Sequence, residues 1–544
     1  MLTRVIQYLR AESDRAIALL AQERLFAALE RCTGIARFEN PAYQDTLRLA
    51  QQASGYASGQ VLGGLLNTVT ALISLVGFLG SLLIISPLLS AVVVLAIAPS
   101  LLVQLRLSRT YARMTWEISP VQRREFFYVS LLTTVEAAKE IRLFGAGPLL
   151  RDRMRTERST ANLAHRRLDR QELVTHGGLA LLSAVITGGG LIWAALQAAS
   201  GQLSVGSISM LIAAIAGVLS ATDVATSSIA QAHQQLLLFD HYLRVTRAEP
   251  DLPVRGIGRR LPALKIGIEL RNVWFRYAPD HPWALRGVNL VIPRGRTLAL
   301  VGANGAGKST LVKLLCRFYD PDRGAITWDG TDIRDIPPSE LRERMSVVFQ
   351  DFMHYDLTAA ENIGLGDVTA MNDPDRLKEA ARKAGVHETL AALPNGYRTQ
   401  LSRVFHGGLE EPDPSTGVEL SGGQWQRVAL ARALLRDRRD LLILDEPSAG
   451  LDPAAEYEVS ARLREHRAGR TSVLISHRLG TIRDADVIVT LVDGRIAEQG
   501  SHDELMHQDG HYAELFRLQG RGYQPVEKSS PIDPRGEGVA WRTS

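Results

Sequence analysis

Hydrophobic and charged positions in the first half of the chain segregate into blocks instead of alternating. From Val61 to Leu105 there is no charged residue, about twice the length one helix needs to cross a hydrocarbon layer of roughly 30 Å, and Ser86-Pro87 interrupts the run. A second run, Leu173 to Ala221, is broken around Ser200-Gly201-Gln202. The pattern predicts four membrane spans near 61–85, 88–106, 174–198 and 203–222, within a helical domain of residues 1–244. The intervening segment is Arg-rich with few breakers and reads as a long helical excursion. Residues 245–265 are rich in Pro, Gly and Arg, the composition of a linker. After it, apolar runs such as TLALVG, LLILDE and TSVLIS alternate with helical patterns, which predicts an α/β domain with a largely parallel sheet over 266–520. The polar, Pro-rich stretch 521–544 reads as a disordered tail. The expected fold is therefore multidomain, an all-α transmembrane bundle followed by an α/β domain.

Charge gives this arrangement a direction. Arg106 to Arg170 holds fourteen Lys and Arg, whereas Gln171 to Tyr242 holds none. Basic residues collect on the cytoplasmic side, so the excursion, both termini and the second domain are expected inside a multi-pass protein of the cell membrane. A formal net charge of +4, from 62 basic and 58 acidic residues, is too balanced to make nucleic acid the main partner. Two distant cysteines, Cys32 and Cys316, cannot form a metal cluster. The N-terminus is charged every few residues, and no secretory leader is expected. Asn67, Gln104 and Gln197 are scattered among aliphatics in the spans. Asp223 sits at the inner end of the last one, and Gly188-Gly189-Gly190 suits close helix packing.

The second domain carries the chemistry. Gly302-Ala303-Asn304-Gly305-Ala306-Gly307-Lys308-Ser309 fits GxxxxGK[ST] between an apolar strand and a helix beginning Ser309-Thr310. Glycines let the backbone N–H groups turn toward phosphate oxygens, and the helix N-terminus adds positive charge. Lys308 is expected to reach the β and γ phosphates of ATP, with Ser309 on Mg²⁺. Downstream, Leu441 to Leu444 leads into Asp445 and Glu446. This order suits one carboxylate near the metal and one beside an attacking water.

Leu420-Ser421-Gly422-Gly423-Gln424, opening the helix WQRVALARALL, resembles the signature of the ABC transporter family, which other phosphate-loop ATPases lack. The resemblance implies an ATP-binding cassette in which Ser421, Gly422, Gly423 and Gln424 face the γ-phosphate held by a second cassette. Tyr277 looks like the aromatic that stacks on adenine, Gln350 like the residue that contacts Mg²⁺ or the water, and His477 like the switch histidine. Ser448 to Asp452 resembles the loop that crosses to the partner. Glu446, His477 and Gln350 are the expected catalytic group, and Ser309, Gln350 and Asp445 the expected Mg²⁺ group. Fusion of the membrane domain ahead of the cassette is similar to exporters. Glu39 to Asp45 and Ala138 to Phe144 look like their two cytoplasmic turns.

Such exporters carry six spans per half, so the first pair is expected to be missing here, through a late start codon or a truly shortened protein. Glu410 to Glu419 replaces the family's common run before the signature, and the wording that follows resembles bacterial lantibiotic and peptide exporters. The implied function is ATP-driven export of a peptide, a lipid or a hydrophobic small molecule. A second half-transporter, identical or not, is the expected partner, with the lipid bilayer as surroundings and no nucleic acid. A soluble ABC ATPase is disfavoured by the spans, a degenerate non-hydrolysing subunit by the intact motifs, and an importer by the fusion order.

Overall fold

The computed structural model describes residues 1–544 except 86, 201–204, 256–260, 403–416, 438 and 522–544. The predicted breaks at Ser86 and at Gly201-Gln202, most of Glu410 to Glu419, and nearly all of the tail lie outside the described residues. Contacts divide the chain into two compact units, residues 1–32 with 37–250 and residues 33–36 with 251–544.

The first unit is helical: α1 (Leu2–Glu30), α2 (Ala36–Glu39), α3 (Pro41–Gln52), α4 (Ser58–Ile85), α5 (Pro87–Thr133), α6 (Val135–Leu143), α7 (Gly147–Ala199) and α8 (Val205–Thr246). Asn40 caps α3 by accepting from the N–H groups of Ala42 and Tyr43, and Pro41 fills the first helical position, where no N–H is needed. A π-helical turn over Ala53–Ala57 joins α3 to α4. Among the described residues, three helical stretches are apolar and long enough to cross a membrane: Gly63–Ile84, Gly147–Gln197 and Ser209–Thr246. The span expected near 88–106 falls on α5, many of whose side chains there are not described. At 47 and 53 residues, α5 and α7 extend about 70 to 80 Å, more than twice the hydrocarbon thickness. Their Arg-rich parts pair through Arg124 with Glu157 (2.9 and 3.0 Å) and Arg158 with Glu125 (3.0 Å). In α8 the hydroxyls of Thr222 and Thr226 donate to carbonyls four residues back, so these buried polar groups are satisfied inside their own helix.

The second unit contains two sheets. Strands β1 (Gly267–Phe275), β2 (Leu285–Pro293), β4 (Arg323–Trp328) and β5 (Thr331–Asp332) form an antiparallel sheet in the order β2-β1-β4-β5. Strands β3 (Thr297–Val301), β6 (Met345–Val348), β7 (Leu441–Asp445), β8 (Thr471–Ile475), β9 (Val487–Val492) and β10 (Arg495–Gly500) form the other, ordered β10-β9-β3-β8-β7-β6. It is parallel except for β10. Helices α9 (Lys308–Leu315), α10 (Pro338–Glu343), α11 (Ala359–Gly364), α12 (Pro374–Lys383), α13 (His387–Ala391), α14 (Gly422–Leu435), α15 (Pro453–Arg467), α16 (Leu479–Ile482), α17 (His502–Gln508) and α18 (His511–Arg521) complete the unit.

Strand alternation assigns the two faces of this sheet. Leu298, Leu300, Leu441, Ile443, Val473 and Ile475 enter one core with Leu311 and Leu314 of α9. Ala299, Val301, Leu442, Leu444 and Leu474 enter the other with Trp425 and Val428 of α14. A parallel sheet covered on both faces needs unbroken apolar strands, and β3, β7 and β8 are buried at every position. Asp445 continues the parity of Leu441 and Ile443, which puts it on the α9 face. Residues 33–36 belong to this unit by their contacts: the Gly34 N–H donates to Asp251 (2.9 Å), the Ile35 N–H to the Phe318 carbonyl (3.3 Å), and Arg342 to the Thr33 carbonyl (2.7 Å).

Candidate nucleotide site

The phosphate-loop residues leave β3 in a curl that only glycine follows easily. Gly302 has φ +150°, and a Cβ there would lie 2.3 Å from the Leu491 carbonyl oxygen. Gly305 has φ +81° with nothing within 4 Å of where its Cβ would be, so the lip of the loop opens onto free space. The loop ends at the N-terminus of α9, which has no side-chain cap, so first-turn N–H groups remain available to an anion. Lys308 is buried and folds back over the loop, its Nζ donating to the carbonyls of Gly302 (2.7 Å) and Ala303 (2.9 Å). Burial lowers its pKa, and the charges of Glu446 and Asp445 oppose that shift.

At the far wall β7 delivers its carboxylates. Asp445 is 4% exposed, and its Oδ1 is a buried oxygen with no hydrogen-bond partner. Burial, followed by the negative charge of Glu446, pushes its pKa up to about 6 against the pull of Lys308. An orphaned buried carboxylate oxygen and an exposed Ser309 on the wall of one cavity are oxygen donors a divalent cation would satisfy, so the residues fit Mg²⁺. Directly after Asp445 the chain turns: Glu446 has φ +50°, a left-handed conformation rare for a residue with a side chain. The turn separates the two carboxylates. Glu446 Oε1 lies 2.5 Å from His477 Nε2, and its Oε2 accepts from Gln350 Nε2 at 3.0 Å.

These groups surround one cavity of about 340 Å³, lined by Asn304, Gly305, Gly307, Lys308, Ser309, Thr310, Gln350, Asp445, Glu446, Ile475 and His477. Four segments of the chain, at residues 304–310, 350, 445–446 and 475–477, thus converge on one space. Gly302, Ala303 and Ala306 shape the loop without lining the cavity. Tyr277 stands beside it, with its hydroxyl 3.0 Å from Thr310 Oγ1, its ring edge-on to Phe275 and Tyr319, and Lys313 Nζ 5.2 Å from the ring centroid.

The signature residues are not among the cavity's lining. Ser421 is the N-cap of α14: its hydroxyl accepts from the Gln424 N–H (3.4 Å) while the Gln424 side chain accepts from the Ser421 N–H (2.8 Å). Ser421 and Gly422 are exposed at that N-terminus. The cap is a geometric role for Gln424 that the sequence reading did not assign. Gln426 was also missed: it is buried and donates to the Glu446 carbonyl (3.1 Å), tying α14 to the end of β7. Arg432 was missed as well. It donates from α14 to the carbonyls of Asn362 (2.8 Å) and Met353 (3.2 Å) and lies over Tyr355. The signal available for both was a polar side chain on the apolar face of a helix.

Residues 285–449 match the family model of the ABC transporter. The chain is 37% identical over 393 residues to an ATP-dependent lipid A-core flippase of Alkalilimnicola ehrlichii, covering 71% of this chain and 63% of that one. A flippase of the same name from Saccharophagus degradans is 42% identical over 261 residues, 48% of this chain and 42% of its own. The mitochondrial potassium channel ATP-binding subunit of Xenopus tropicalis is 43% identical over 282 residues, 51% and 38% of the two chains. The chain thus spans between about two fifths and somewhat under two thirds of the length of these relatives. A solved structure of a bacterial Atm1-family ABC exporter with ATP bound superposes with a TM-score of 0.78 at 25% identity, over 97% of this chain and 87% of that one. Helical unit, cassette motifs and matches agree: the chain is similar to exporter-type ABC transporters, with the segment that matches the ABC transporter family model following a helical unit in one polypeptide.

Proposed function

We propose that the chain hydrolyses ATP at a site completed by a second half-transporter and uses the cycle to move a substrate outward across the cytoplasmic membrane. The observation that carries this reading is the division of labour in the cassette. Lys308, Asp445, Glu446, Gln350 and His477 share one cavity, while Ser421 opens a different helix outside it. In this reading Gly302 to Thr310 bind the phosphates and Tyr277 supports the base. Glu446, held at both oxygens, takes a proton from the attacking water. Ser309, Asp445 and Gln350 would hold Mg²⁺, which supplies charge neutralisation between the phosphates. Ser421 to Gln424 of one subunit meet the γ-phosphate of the other, so closure follows ATP binding and opening follows its loss.

The membrane domain is read as multi-pass, with the cassette and both termini cytoplasmic. Among peptide, lipid and hydrophobic small molecule, the names of the flippase relatives favour an amphipathic lipid as cargo. ATPase activity of the protein in nanodiscs, measured with and without each cargo class, tests the reading. Activity absent from wild type, or unaltered in Glu446→Gln, refutes it.

A further inference from the structure

A second cavity in the cassette, of about 540 Å³, exceeds the roughly 340 Å³ at the phosphate loop and shares no lining residue with it. It lies between the C-terminal parts of α12 and α15. Arg470, on its wall, immediately precedes β8, whereas His477 follows the same strand. A five-residue strand is about 17 Å long, so the two cavities lie toward opposite ends of the strands of the parallel sheet.

Its wall carries four cations, Arg382, Lys383, Arg462 and Arg470, against two carboxylates, Glu379 and Glu465. Some basic charge at helix C-termini is expected from the helix dipole, and Arg462 does donate to the Arg382 carbonyl. Arg462 also donates to Glu458, and Arg382 donates to Glu379 (3.4 Å), so part of each guanidinium's five N–H groups is used and the rest is open. The heads are also fixed in place. Asp437 behind the wall accepts from Lys383 (3.1 Å) and Arg470 (2.8 Å), and Arg470 also donates to His466 Nε2 (3.2 Å). Because arginine only donates, that ring nitrogen accepts and the histidine is neutral. Burial and then the Arg470 charge hold its pKa down to about 4. The four cationic side chains keep between 31% and 54% of their surface exposed, so donors remain for a ligand. Guanidinium forks and an ammonium held around an open space match phosphate oxygens better than single carboxylates.

We propose that this cavity binds a small multivalent anion bearing phosphate groups, at a cassette site separate from the one for ATP. Free phosphates, nucleotides and phospholipid headgroups present the same chemistry, and the experiment separates them. Full-length protein in detergent, carrying Lys308→Ala to weaken the ATP site, is titrated calorimetrically with inorganic phosphate, pyrophosphate, ADP and dihexanoyl phosphatidic acid. Saturable binding of at least one probe is expected, weakened about tenfold by Arg382→Glu with Arg462→Glu. The probe that binds tightest identifies the source. If the double variant fails to fold, Arg382→Gln alone, which removes a surface guanidinium, is expected to weaken binding about threefold. Absence of saturable binding for all four probes at millimolar concentration, or equal binding in folded variants and parent, overturns the proposal.

Discussion

Ser421→Ala separates two roles that the structure assigns to one hydroxyl. Within the chain, Ser421 is a helix cap, and its bond from the Gln424 N–H is long, at 3.4 Å. Nine of the fourteen residues of α14 are buried, so packing and not the cap holds the helix. Losing the cap should cost about 0.5 to 1 kcal/mol. For a cassette of this size that lowers Tm by roughly 1 to 4 °C. If the hydroxyl also meets a phosphate bound by the partner subunit, its loss removes a charge-facing donor from the reacting group, and turnover should fall about 10² to 10³-fold. The two losses differ so widely that two measurements on one variant, a thermal melt and phosphate release in nanodiscs, resolve them. Mixing makes the test sharper. Ser421→Ala and Lys308→Ala chains combined one to one give half mixed dimers, each with one intact site. Activity should rise above that of either variant alone. A Ser421→Ala protein that loses a few degrees but hydrolyses ATP within threefold of wild type refutes the shared-site reasoning.

Glu446→Gln preserves the shape that His477 and Gln350 hold but removes the base. Phosphate release should drop about 10² to 10⁴-fold with ATP affinity, read by a fluorescent nucleotide, nearly unchanged. Gly302→Ala would force a side chain against the Leu491 carbonyl at a φ of +150°, and should destabilise the cassette by more than about 1 kcal/mol in denaturant unfolding. Asp437 is subject to burial, which alone would raise its pKa, but its bonds to Arg470 and Lys383 prevail and hold the carboxyl well below its usual range. A depressed folded pKa gives stability that is present above the unfolded value near 3.9 and is lost as pH falls from there toward the folded one. Asp437→Asn should therefore be less stable than wild type at pH 7, and the gap should narrow only as pH falls below about 4.

The sequence made the motifs legible because each is a local constraint: glycines where the backbone must curl, carboxylates at the end of an apolar strand, a Ser and a Gln three apart opening a helix. The alternation of β3, β7 and β8 even fixed the face on which Asp445 would lie, once the sheet was known to be covered on both sides. What it could not supply were contacts whose partners lie far apart in the chain. Gln426 reaches Glu446 across twenty residues, Arg432 reaches Met353 across seventy-nine, and residues 33–36 join the cassette across more than two hundred. Nothing periodic marks such pairs. The long helices were foreseen from apolar length, but the pairing of Arg124 with Glu157 depends on a register between α5 and α7 that spacing alone does not set.

The left-handed backbone at Glu446 also bears on how this protein can be improved or can decay. An L-residue pays about 1 to 2 kcal/mol to hold that conformation, whereas glycine holds it freely and asparagine nearly so. A library screened only for survival at high temperature would be drawn to Gly or Asn at this position. The more robust proteins it returned would be those that had discarded the carboxylate, so robustness and competence must be selected together here.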